Sequence, residues 1–228
     1  MGMSMIDRIG ALCGVVGVPL SAAAVFLVDP VSPLEASPTA SSKVVVQALA
    51  KNAGDAQAGA WCGLAGALLL AVFFARLYGA LRTSTGPDSW LPHVVLLGGS
   101  AYVAMVLVGV GFAFAAGDSD SLANNPQVAM MIILFGWYFP AVYAPGTAAV
   151  MFSVTAVALT TKAFPTWFTW AAGAVLVGIV LISATGAAGM AAVAGFFGLL
   201  MVAAVLVFHA DRSTARPAAA TPGADLTA

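Results

Sequence analysis

An all-helical, polytopic membrane bundle is the fold this sequence predicts, and three observations carry that expectation. Hydrophobic residues make up 61% of the chain and charged residues 7%, where a soluble domain has roughly a quarter of its residues charged. Apolar stretches recur at the length a bilayer demands, since a hydrocarbon core about 30 Å thick takes about 20 helical residues at about 1.5 Å each. The few charges lie at the ends of those stretches, with their signs sorted by side. Strands of a β-barrel would alternate apolar with polar residues, whereas VVLLGGSAYVAMVLVGVGFAF is apolar on every side.

The spans fall near 9–29, 57–81, 92–116, 139–161, 166–185 and 188–209, which makes six helices in one domain over 1–210. Arg8 precedes the first span, and Ala22 to Ala24 resemble a signal cleavage site. The apolar run continues through Val25, Phe26, Leu27 and Val28, longer than a secretory h-region, so the segment is read as a retained anchor. Ahead of the second span, SSKVVVQALAKNAGDAQAGAW has helix formers and a serine cap, with Val45, Leu49 and Ala53 spaced at four. That helix is expected to start outside the membrane near Ser42. The third span follows Asp88 and carries His93 at its start, and the fifth opens with Trp167 and Trp170, an interfacial aromatic belt matched by Trp61 at the other side. After the sixth, residues 211–228 are rich in Pro, Ala and Thr and are expected to be a disordered tail.

The fourth helix is the unusual one. NNPQVAMMIILFGWYFPAVYAPG opens with Asn125 as a cap and Pro126 at the first helical position. Counting about 20 residues back from Lys162 places the outer boundary near Pro140, leaving Gln127 to Phe139 as surplus. That surplus is too apolar for water and too short for another span. Either it packs on the extension of the second helix as an outer cap, or the fourth helix is tilted and kinked with its first half at headgroup level. Pro140 and Pro145 each remove a backbone donor, so a kink or break is expected between them. Such kinks line binding sites in some transporters and are structural in others. Trp137, Tyr138, Pro140, Tyr143 and Pro145 are therefore the candidate ligand-binding residues.

Orientation follows from the cations. Arg8, Arg76, Arg82, Lys162, Arg212 and Arg216 fall on one side, and only Lys43 and Lys51 on the other, together with Asp29, Glu35, Asp55, Asp118 and Asp120. Both termini are expected in the cytoplasm of a cell membrane protein, in agreement with an even number of spans.

No Asp, Glu, Lys, Arg or His occupies the middle of a span. Intramembrane ionisable groups mark ion paths, proton relays and ligand counter-ions, so those functions lose their residues here. The interior polar groups are Ser100, Tyr102, Tyr138, Tyr143, Thr147, Ser153, Thr155, Ser183 and Thr185, which commonly bond a backbone carbonyl or a neighbouring helix. His93 and His209 stand at the same side; beside Asp88 and Asp211 they read as interfacial residues in preference to a haem or metal pair. No metal-ligand spacing, phosphate-binding glycine motif or serine-histidine-acid set occurs, so no catalytic residue, metal or cofactor is assigned. Cys13 and Cys62 belong to opposite leaflets, too far apart in depth for a disulfide.

Small residues are abundant. Gly10 and Gly14, then Gly59 and Gly63, are four apart and are the candidate helix-packing positions, within the bundle first and between copies second. A polar loop leading into a helix that ends in FFARLYGALR, an Asn-Pro opening of the fourth helix with a proline inside it, and FPTWFTWAAGAVLV opening the fifth resemble a group of uncharacterised six-helix integral membrane proteins common in actinobacteria. The resemblance covers about residues 5–210 and implies a fold and a compartment, with no activity to transfer. The Ala, Gly and Val bias fits a bacterium of high genomic GC. The functional expectation is a non-enzymatic membrane protein, structural or accessory, whose partners are the lipid bilayer and a membrane protein or second copy, not nucleic acid. The alternative is a carrier or binder of a small neutral or lipidic molecule at an outward crevice beside the fourth helix, and a membrane enzyme ranks last.

Overall fold

The computed structural model describes residues 5–28, 41–118, 122, 124–161, 164–185 and 190–214, and every element among them is a helix. In chain order these are α1 (Met5–Val28), α2 (Ser42–Lys51), α3 (Ala53–Thr85), α4 (Leu91–Ala116), α5 (Pro126–Thr161), α6 (Thr166–Thr185) and α7 (Met190–Thr214). Four of the described segments are long and apolar enough to cross a membrane: Met5–Val25, Ala53–Thr85, Leu91–Ala116 and Tyr143–Thr161. Shorter apolar segments occupy Pro126–Phe135, Thr166–Leu181 and Gly195–Val207. The chain is a membrane-spanning helical bundle.

Helix packing runs α1 to α3, α3 to α4, α4 to α5, α5 to α6 and α6 to α7, and α7 returns to α1. The ring therefore closes on itself. In a membrane the hydrophobic effect does not press helices together, and close backbone approach has to supply dispersion instead. Two crossings do this. Where α1 meets α3, a β-carbon added at Gly17 would stand 3.2 Å from the Leu70 backbone nitrogen and 3.3 Å from the Gly66 carbonyl oxygen. Where α4 meets α5, one added at Gly98 would stand 2.8 Å from the Gly146 carbonyl oxygen. Around these crossings lies the main core, with Leu70, Phe73, Phe74, Leu77, Val95, Val150, Met151, Phe168, Phe196 and Leu200 buried.

Three expectations need correction or completion. The extension of the second helix starts at Ser42 but is not continuous with the span, because Asn52 interrupts it at φ −108° and ψ 15°. Its side-chain amide Nδ2 donates to the Ala48 carbonyl at 3.0 Å, closing α2 in place of a further backbone turn. In α5 no break occurs at the prolines, and the backbone is helical through Pro140 and Pro145 from Pro126 to Thr161. Membrane helices tolerate proline because local adjustment and neighbouring groups satisfy the freed carbonyls. Finally α7 continues to Thr214, into the stretch read as a disordered tail, whose residues 215–228 lie outside the described ones.

Cys13 and Cys62 are both free. Gly14 packs on Phe73, so Cys13 sits near the depth of that ring, eleven α3 residues or about 16 Å from Cys62.

Candidate functional site

The surplus of α5 has a seat. Ala129, Ile132 and Ile133, spaced to share one helix face, are buried against Val45 and Leu49 of α2, Ala56 of α3, Ala116 of α4 and Leu122. The arrangement is a lid across the end of the bundle remote from the α3–α4 loop, and α2 supplies it because its apolar positions recur at four. Pro126 is the first helical residue of α5 as expected, and the Asn125 backbone carbonyl accepts from Val128 at 3.0 Å and Ala129 at 3.4 Å. Phe112 of α4 stacks on Phe135 of α5, ring centroids 4.2 Å apart, just inside the lid.

Of the candidate ligand-binding residues, the side chains of Trp137, Tyr138 and Pro140 lie outside the described residues. Tyr143 is half-buried and turned into the bundle, whereas Pro145 is exposed. The structure thus separates these two rather than gathering them. Tyr143 instead meets Tyr102 edge to face, at 6.1 Å and 88°, and Tyr102 is itself buried between Phe74 and Phe196 at 6.2 and 5.4 Å. That pairing lies one turn from the Gly98–Gly146 crossing, whose register the sequence does not reveal.

Two interior hydroxyls are held by backbone, while Ser21 Oγ and Thr155 Oγ1 are buried without a hydrogen-bond partner among the described residues. Thr147 donates to the Ala144 carbonyl at 2.8 Å within α5, and Ser153 donates to the Leu91 carbonyl, tying α5 to the first turn of α4. The packing glycines meet neighbours in the same chain: a β-carbon on Gly10 would stand 2.8 Å from Arg76 Cβ, on Gly14 2.8 Å from Ala204 of α7, and on Gly63 2.9 Å from Val110. Gly59 is buried on α3.

Arg76, read in the sequence as a terminal charge, sits within the α1–α3 contact and reaches back to Asp7, Nε to Oδ1 3.5 Å. Gly10 leaves room for its stem, which covers apolar surface while the head seeks the carboxylate. Asp7→Ala is expected to cost about 1 to 2 kcal/mol, less than the 3 to 5 of a fully buried pair, because Asp7 is 38% exposed and screened. Arg76→Met removes the charge together with its need for a partner and should cost less. Unfolding midpoints in detergent compare the two; equal losses would assign the effect to packing alone.

At the opposite end from the lid, Tyr78, Arg82 and His93 converge from α3 and α4. Arg82 Nη1 donates to the Tyr78 hydroxyl at 3.2 Å, and that hydroxyl lies 3.3 Å from His93 Nε2. The sequence showed His93 only beside Asp88 and His209, and the His209 side chain lies outside the described residues. Among the described residues, no three His, Cys, Asp or Glu side chains group closely enough to hold a metal ion. No family model, curated protein or solved structure matches the chain.

Proposed function

We propose that this chain is a six-span protein of a bacterial cell membrane with both termini in the cytoplasm. In this reading it catalyses no reaction and serves as a structural or accessory component that packs against a membrane partner. One observation supports this above the others: α1 with α3 and α4 with α5 meet at glycine crossings inside a continuous apolar core, so recognition falls to the outer faces of the bundle. A face suited to it lies on the lid, where Val128 and Met131 of α5 remain exposed. The six-to-two sorting of basic residues supports the orientation. The resemblance to six-helix actinobacterial proteins supports the span count.

The second reading, a binder of a neutral or lipidic molecule beside α5, is favoured by the inward ring of Tyr143 against Tyr102. Reporter fusions at Ser84 and at the C-terminus are expected to be cytoplasmic and one at Asp118 external. A photo-crosslinking residue at Met131 is expected to give one discrete protein adduct in cells, absent when it is placed at the exposed Leu68. An external C-terminus would overturn the topology, and lipid adducts alone at Met131 would favour the second reading.

A further inference from the structure

We propose that the groove between α3 and α4, at the end bearing their connecting loop, binds the phosphate headgroup of an anionic glycerophospholipid through Arg82, with His93 and Tyr78 completing the site. The cluster is assembled from both walls of the groove. Tyr78 and Arg82 are four apart on α3 and so share a face, and Tyr78 is the hinge: it accepts from Arg82 while standing within bonding distance of His93. The His93 ring meets the Tyr78 ring edge to face at 5.3 Å and 70°, which fixes its position over the groove.

A guanidinium has five N–H donors in a planar fork matched to phosphate oxygens, and Tyr78 takes one of them. Arg82 is exposed, and its guanidinium carbon stands 6.0 Å from the Tyr78 ring centroid. The ion pair of α3 with α1, Arg76 with Asp7, lies on the far side of the helix, about 160° around from Tyr78 by helical geometry. Asp88 in the connecting loop is exposed and, among the described residues, is not paired with Arg82. His93 lies in the first turn of α4, whose N-terminal end adds a further favourable potential for an anion.

What lies beneath the cluster identifies the ligand as a lipid rather than a free anion. From His93, the outward stripe of α4 runs through Leu96, Leu97, Leu107 and Val108, all exposed, with Leu97 at 71%. Across the groove α3 presents the exposed small residues Ala71 and Ala75 and then Leu68, while Phe74 over Gly99 forms the floor. Leu97 to Val108 covers eleven residues, about 16 Å, close to half of a hydrocarbon core about 30 Å thick and hence to one acyl chain. Trp90, 62% exposed in the loop, stands at the polar edge where an indole prefers to lie.

This inference rests on the membrane-spanning reading, and the experiment separates the two. The full chain is reconstituted into dioleoylphosphatidylcholine vesicles containing a minor share of dioleoylphosphatidylglycerol, washed with alkali, released into detergent and weighed by native mass spectrometry. Retained phosphatidylglycerol, in preference to phosphatidylcholine, is expected on the unaltered protein. Retention should fall about tenfold in Arg82→Ala/His93→Ala, the ratio that loss of one charge-assisted contact gives. Arg82→Lys should keep part of it, and Arg8→Ala should match the unaltered chain. Equal retention in the double variant, or displacement of the lipid by excess inorganic phosphate, would overturn the proposal. A chain stripped from the vesicles by alkali would overturn the membrane reading instead.

Discussion

Replacing Gly146 with leucine is expected to separate α4 from α5 and to give the largest loss of stability of any single change considered for this bundle. A β-carbon there would stand 2.9 Å from the Gly98 carbonyl oxygen, 3.0 Å from the Tyr102 nitrogen and 3.3 Å from the Tyr102 Cα. All three are backbone atoms of a hydrogen-bonded helix, so none can rotate out of the way. Reciprocally, a β-carbon at Gly98 would meet the Gly146 carbonyl at 2.8 Å and the Val150 nitrogen at 3.1 Å. Overpacking of a side chain against side chains costs about 1 to 3 kcal/mol, and a clash of backbone with backbone should reach about 3 or more. The displaced helices would also forfeit dispersion along their shared face and pull Ser153 from the Leu91 carbonyl. Gly111→Ala on the same α4 is the control, because nothing lies within 4 Å of the added atom. Helix propensity alone should then leave it level or raise it by up to about 1 kcal/mol. Unfolding in detergent followed by circular dichroism measures both, and an unchanged midpoint for Gly146→Leu would mean that the crossing is not there.

Val45→Asp is expected to release the lid while leaving the main core folded. Val45 is fully buried at the centre of the α2–α5 contact, and a carboxylate placed there loses several kcal/mol of hydration with no partner among its apolar neighbours. α2 is ten residues long and holds its seat through the face carrying Val45, Ala48 and Leu49. Short helices are marginal without such packing. Trypsin should therefore cut at Lys43 and Lys51 many times faster, while the midpoint of the membrane core changes little, since that core is a separate cluster. Gln47→Asp, on the exposed face of the same helix, should leave the cleavage rate as it was. A fast rate in both variants would show that α2 is not held by Val45.

The positions of the helices were readable from composition and span length, because lipid imposes both. The stretch expected at 92–116 falls on α4 at Leu91–Ala116, and that expected at 166–185 falls on α6 at Thr166–Thr185. The lid was half readable: Val45 and Leu49 are spaced at four and Gln127 to Phe139 exceed the span, but the sequence left the excess either packed on the second helix's extension or lying at headgroup level, and the cluster of Val45 and Leu49 with Ala129, Ile132 and Ile133 decides for the first. Lateral pairing was not readable. Inside a membrane, leucine and valine are as acceptable on the lipid face as in the core, so a helix such as α4 carries almost no amphipathic signal. Tyr143 beside Tyr102 and Tyr78 beside His93 follow from depth register, and depth register follows from which glycines meet. Arg76 misled for a related reason, its stem being long enough to carry the charge back to Asp7 from a position within the bundle.

The closure of the ring at Gly14 carries a consequence for how the protein is made. Gly14 lies between Phe73 of α3 and Ala204 of α7, so one side of α1 finds its neighbour early in synthesis and the other only after α4, α5 and α6 have been made. Throughout elongation of α4, α5 and α6, α1 offers the bilayer a small-residue flank that α7 will cover. A ribosome that stalls before α7 would leave that flank bare, and truncated chains should for that reason be the ones a membrane quality-control protease clears first.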